Sequence, residues 1–170
     1  RTEAGMARLD GIAKAQFYPA PPSVVERVAS LVRPAPRSHR RVTRLLDSCC
    51  GAGDALRQIA DAIGGGETYG IEIEQHRAAE ARRSLDHLIA GSAFAVRLGH
   101  EAFSCLWLNP PYDQDEGGKR LEHNFLTTMS RTLAPGGLLV YIVPQARLAQ
   151  SARYLSTHYE PMRCYRFHDP

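Results

Sequence analysis

From Val42 onward the chain alternates short apolar runs with stretches whose apolar residues recur every three to four positions. This rhythm constrains the fold more than any other feature of the sequence. The runs are Val42 to Leu46, Thr68 to Ile73, Ala93 to Leu98, Cys105 to Leu108 and Leu138 to Val143. Between them, Asp54 to Ile63, Gln75 to Ile89 and Leu121 to Leu133 carry the periodicity of helices that cover one face of a sheet. Strand and helix at this rhythm predict an α/β fold, with a mostly parallel sheet and helices on both of its faces. Pro135-Gly136-Gly137 is expected to separate the last of these helices from the last strand.

A chain of 170 residues can close one sizeable core. Its 44% hydrophobic and 23% charged content excludes a wholly disordered chain, a collagen-like fibre and a coiled coil. The longest apolar run, Leu138 to Val143, falls far short of the ~20 residues that span a bilayer, so no membrane partner is expected. The early part of the chain holds Arg8, Asp10, Lys14 and Glu26 without an apolar core, which predicts a cytoplasmic protein. Cys49, Cys50, Cys105 and Cys164 match neither a disulfide framework nor paired zinc-ligand spacing and are expected to be buried free thiols, so no metal is expected. Net charge is +3, and Lys14 and Lys119 are the only lysines against nineteen arginines, a composition suited to phosphate recognition.

Residues 1–16 lack periodicity and read as a mobile arm. Phe17 to Pro22 is stiffened by three prolines. A helix carrying Val24, Val25, Val28, Leu31 and Val32 is expected after it, with Ser23 as N-cap. Arg33 to Arg41 reads as a proline-broken loop whose arginines are able to strap a phosphate backbone.

Three strand ends carry chemistry. The first delivers Asp47-Ser48-Cys49-Cys50-Gly51-Ala52-Gly53 into a helix, a small-residue turn that lets a ligand approach the backbone. Its glycines depart from the dinucleotide fingerprint, and Asp47 and Asp54 would repel a pyrophosphate, so a ligand that is cationic at this point fits better. The second ends in Gly70-Ile71-Glu72-Ile73-Glu74, and Glu72, 25 residues after Asp47, stands where a doubly wound fold places the acceptor for ribose hydroxyls. Glu74 is expected to start the next helix. The fourth ends in Asn109-Pro110-Pro111-Tyr112, where the prolines remove two N–H donors and leave carbonyls as acceptors. An exocyclic amino group matches them: the Asn109 side-chain oxygen and the Pro110 carbonyl accept its hydrogens while Tyr112 stacks on the attached ring.

In this order the motifs resemble those of S-adenosyl-L-methionine-dependent methyltransferases that modify the N6 amine of adenine in DNA, with the gamma-class arrangement in which Phe17-Tyr18-Pro19-Ala20-Pro21 comes first. The resemblance runs from about Phe17 to Phe167. It implies a Rossmann-like class I methyltransferase fold over residues 17–170 as one catalytic domain, without a target-recognition region. It also implies a strand at Met162 to Phe167, with a last antiparallel strand lying beyond Pro170. The cofactor it implies is S-adenosyl-L-methionine, with Asp47, Cys49, Gly51 and Gly53 bordering the methionine moiety, Glu72 on the ribose, and Tyr18 and Pro19 at the carboxylate end. Asn109, Pro110, Pro111 and Tyr112 would hold the target amine, and Asn109 would adjoin the cofactor as well.

Two departures stand out: Ala20 replaces a family Thr, and Gly99-His100-Glu101 occupies the place of a Gly-Asp pair, leaving His100 to face the cofactor's adenine. DNA is the implied partner, its adenine flipped out of the duplex. RNA or a protein amide nitrogen is the alternative substrate, and a noncatalytic nucleic-acid-binding member of the fold is the third reading.

Overall fold

The computed structural model describes residues 18–34, 42–112 and 120–167. The expected N-terminal arm, Phe17, and the linker arginines Arg37, Arg40 and Arg41 lie outside the described residues. Among the described residues, β1 (Arg44–Asp47), β2 (Glu67–Glu72), β3 (His87–Ala90), β4 (Phe103–Leu108) and β5 (Leu133–Tyr141) form one sheet in the order β3-β2-β1-β4-β5. Every pairing is parallel. The helices are α1 (Pro22–Leu31), α2 (Asp54–Ala62), α3 (Gln75–Ser84), α4 (Leu121–Met129) and α5 (Gln145–His158). None of the described helices is long and apolar enough to cross a membrane.

Alternation along the strands assigns the two faces. Leu45, Cys105 and Trp107 pack with Val25 of α1, Leu56 and Ile59 of α2 and Ala81 of α3. Leu46, Leu106 and Leu108 pack on the other side with Phe125, Leu126 and Met129 of α4. Full burial of the central side chains at about 1.5 to 3 kcal/mol each is what holds the two helical layers to the sheet. Register brings Asp47 level with Gly70 and Trp107, so β1, β2 and β4 present their carboxyl ends at one edge of the sheet, β2 running two residues beyond β1. The strand order reverses between β1 and β4, and ligands bind at such a switch point in open α/β sheets.

Several expectations are corrected. Helix α3 stops at Ser84 instead of reaching Ile89, and the third strand is His87–Ala90, not Ala93 to Leu98. Asp86 is the reason: its carboxylate accepts the Thr68 N–H (2.8 Å) and hydroxyl (2.7 Å), and its own N–H donates to Thr68 Oγ1 (2.9 Å). That clasp turns the chain into register beside β2, where Tyr69 stacks on His87 at 4.3 Å.

Helix α4 likewise ends at Met129, with a 3₁₀ turn at Ser130–Thr132. Pro135-Gly136-Gly137 lies inside β5: Phe103 pairs with Leu133 and Cys105 with Leu138, so the glycines form a bulge, with Gly136 at φ +76°. Helix α1 starts at Pro22 after Pro21 and takes no side-chain cap from Ser23, because proline suits the first helical position. Met162 to Phe167 is not a strand; Met162, Tyr165 and Phe167 stay exposed, and so does Cys164, whereas Cys50 and Cys105 are buried as expected.

Gly70 shows how closely β2 is covered. A Cβ there would lie 2.5 Å from Leu85 Cδ1 and 2.7 Å from Cys50 Sγ. Gly70→Ala is therefore expected to destabilise the protein by about 1 to 3 kcal/mol, read as a lower urea midpoint with unchanged slope.

Candidate active site

The turn after β1 is shaped by hydrogen bonds that its residue types dictate. Asp47 accepts the Cys49 N–H at 2.9 Å, Cys50 donates to the Ile71 carbonyl at 3.0 Å, and Gly53 closes back on the Cys50 carbonyl at 2.9 Å. Gly51 (φ +57°) and Gly53 (φ +90°) occupy left-handed backbone that a side chain would strain. Gly53 leads into α2 and packs on Ser84 and Leu85. Burial pushes the Asp47 carboxyl up to about 7 against the pull of the Cys49 N–H, and the Glu72 charge adds to the rise. Burial and the nearby Asp47 and Glu72 charges likewise push the Cys49 thiol well up, so it faces the cleft neutral.

At the end of β2, Glu72 is 4% exposed. One oxygen accepts the Gly51 N–H at 3.0 Å; the other accepts the Glu74 N–H at 2.8 Å and Arg77 Nη2 at 2.8 Å. Glu74 caps α3 through the N–H groups of His76 and Arg77, as expected of it. Glu72 is thus braced by the two backbone turns it joins and neutralised by Arg77.

At the end of β4, Asn109 bridges residues far apart in sequence. Its Nδ2 donates to the Tyr18 carbonyl at 2.9 Å, and its Oδ1 accepts the Tyr112 hydroxyl at 2.7 Å. Tyr112 lies flat against Tyr18, with ring centroids 5.8 Å apart and an interplanar angle of 16°. Burial, helped by the Glu122 charge, pushes the Tyr112 hydroxyl up to about 12, so it is a donor at neutral pH. This differs from the expected free stacking platform: Tyr112 spends its hydroxyl orienting the Asn109 amide, whose oxygen keeps a second lone pair.

Between these strand ends opens a cleft at the carboxyl edge of the sheet. Tyr18, Cys49, Glu72, Asn109 and Pro111 line it together. Asp47 and Gly51 sit behind its wall, tied to Cys49 and Glu72. Pro19, Gly53, Pro110 and Tyr112 do not line it, although Pro110 and Tyr112 flank Pro111.

His100 does not join them. It is exposed just before β4 begins, at the opposite end of that strand, because β3 comes earlier in the chain than expected. The turn after β3 supplies the cleft instead, with Gly91, Ser92, Ala93 and Phe94. Sequence reasoning also missed Arg77, Phe125 and Ser48; reading Leu88-Ile89 as a strand would have led to Ser92, whereas nothing in the local pattern marks the others. Ser48 Oγ is buried against the cleft without a hydrogen-bond partner among the described residues.

No curated protein matches the chain in sequence. The fold is similar to that of a predicted O-methyltransferase from Agrobacterium tumefaciens, at 23% identity over 71% of this chain and 64% of that one, with a TM-score of 0.54. It is also similar to geranyl diphosphate methyltransferase in complex with GPP and sinefungin, at 15% identity over 79% of this chain and 53% of that one, with a TM-score of 0.52. The chain therefore spans between half and two thirds of the length of these proteins, and the likeness establishes a Rossmann-like methyltransferase fold. Residues 3–170 match the model of the uncharacterised methyltransferase family DUF6094, and the chain belongs to that family.

Proposed function

We propose that the chain is an S-adenosyl-L-methionine-dependent methyltransferase acting on the exocyclic N6 amine of adenine in DNA. The observation that carries this reading is the cleft at the strand-order switch, where Ser48, Cys49 and Glu72 meet Asn109 and Pro111. The residues fit the cofactor. Glu72 keeps a lone pair for a ribose hydroxyl, Ser48 Oγ lacks a partner, Ile71, Ile73 and Phe94 offer apolar walls, and Asp47 places acidity where the cofactor is cationic. When bound, the cofactor supplies an electrophilic methyl group on a sulfonium. The chain's own residues then do the positioning: Asn109 Oδ1 and the Pro110 carbonyl accept the amine's hydrogens and favour a tetrahedral nitrogen with its lone pair available. A general base is not required for that step.

Methyl transfer from labelled cofactor to adenine-containing duplex DNA, matched RNA and protein extract, followed by nucleoside mapping, tests the reading. N6-methyladenine in DNA is the expected product. Label in RNA or protein alone would replace DNA as the substrate, and no transfer by a protein that binds cofactor would favour the noncatalytic reading.

Asp47 provides a separate check. Its raised folded value means that it favours the native state most at low pH, and this contribution is lost as pH rises through about 7. A cationic ligand favours the ionised carboxylate, so cofactor affinity should rise between pH 5 and about 7, with proton release. Calorimetry at pH 6 in two buffers of different ionisation enthalpy should detect a fraction of a proton released; Asp47→Asn should abolish it.

A further inference from the structure

Helix α4 follows β4 and returns antiparallel to it, so its first turn stands at the carboxyl end of the sheet, beside the cleft. Glu122 lies in that turn, three residues before Phe125, which lines the cleft; positions i and i+3 share a helix face. Its side chain is 1% exposed, and neither carboxylate oxygen has a hydrogen-bond partner among the described residues. No Arg, Lys or His of those residues forms an ion pair with it. The neighbouring hydroxyls are committed elsewhere: Tyr112 donates to Asn109, and Tyr141 is 3.3 Å from Ser151 Oγ, which is in turn 3.1 Å from His123 Nδ1. The Glu122 charge nonetheless reaches both tyrosines, adding to the burial that pushes each hydroxyl up to about 12.

A buried carboxylate without a partner costs several kcal/mol, and a fold retains one where something outside the fold answers it. Methyl transfer to a neutral amine supplies such a counter-charge. The amine's lone pair forms the N–C bond while the C–S bond breaks and leaves its electron pair on sulfur, so the positive charge passes from sulfur to nitrogen before a proton departs to water. We infer that Glu122 is an electrostatic residue for this charge: its unpaired carboxylate favours a cation at the point of transfer, on the Asn109-Tyr112 side of the cleft.

The inference rests on the cleft holding the cofactor, and its test needs no acceptor substrate. Sinefungin carries an ammonium where the cofactor has its methylsulfonium, whereas S-adenosylhomocysteine is a neutral thioether there. Calorimetry on the full chain should show wild type preferring sinefungin, and Glu122→Gln and Glu122→Met should each reduce that preference on the order of tenfold, mainly through weaker sinefungin binding. Both ligands are titrated into one preparation, so a partly unfolded variant does not alter the ratio. Thermal melting adds a control, because Glu122→Met should melt no lower than wild type. If both ligands bind and the ratio is unchanged in both variants, the inference is overturned while the cofactor reading stands. If neither ligand binds wild type, both fall.

Discussion

Replacing Asn109 by Ala is expected to cut methyl transfer by a factor on the order of 10² while cofactor affinity stays within a few-fold of wild type. This is the pattern for a preorganised group that acts mainly in the transition state. The structure adds a route by which the same substitution loosens the site, since Asn109 Nδ2 also holds the Tyr18 carbonyl. Tyr112→Phe separates the two effects. It keeps the ring that lies on Tyr18 and the Tyr18 tie, and removes the hydroxyl that fixes Asn109 Oδ1. We expect a loss of about tenfold in kcat from Tyr112→Phe, equivalent to one hydrogen bond of roughly 1.4 kcal/mol. Single-turnover measurements on adenine-containing DNA check both values. Transfer at the wild-type rate by Asn109→Ala would make the Asn-Pro-Pro-Tyr turn a structural corner.

The legible part of this protein is the part written locally. A strand end followed by Asp47 and a glycine turn, a strand end carrying Glu72, and Asn109 before two prolines each announce themselves within a few residues, because backbone conformation and exposed acceptors are short-range properties. The third strand was hidden for the opposite reason. Leu85, Leu88 and Ile89 continue the apolar spacing of α3, and the helix is ended by Asp86 meeting Thr68, a contact that sequence periodicity does not record. One misplaced boundary then shifted the turn expected after the third strand from residues 91–94, which line the cleft, to His100, which does not. Arg77 and Glu122 were unreadable for a related reason: a single charge on a helix looks like solvent-facing surface until the packing shows Arg77 clamped to Glu72 and Glu122 sealed beneath the cleft.

That clamp enlarges the consequence expected at Glu72. As a bare acceptor for a ribose hydroxyl, its loss would weaken cofactor binding by about 1 to 3 kcal/mol. In the folded chain it also satisfies the Gly51 N–H, the Glu74 N–H and Arg77, so Glu72→Ala leaves two backbone donors without their acceptor and removes the closer of two carboxylates paired with Arg77, Glu74 being 3.9 Å away. Breaking a buried ion pair from one side costs about 3 to 5 kcal/mol, which makes stability, measured by urea denaturation without ligand, the larger effect. Glu72→Gln retains the shape and an acceptor oxygen, so it should lose less stability and still bind cofactor more weakly. Arg77→Gln supplies the converse case: Glu72 keeps its backbone donors, and the lone pair released by the guanidinium becomes available to a second ribose hydroxyl. Cofactor affinity in Arg77→Gln is therefore expected to hold or improve even as stability falls. A stable Glu72→Gln protein with wild-type cofactor affinity by calorimetry would show that this carboxylate braces the turn and does nothing more.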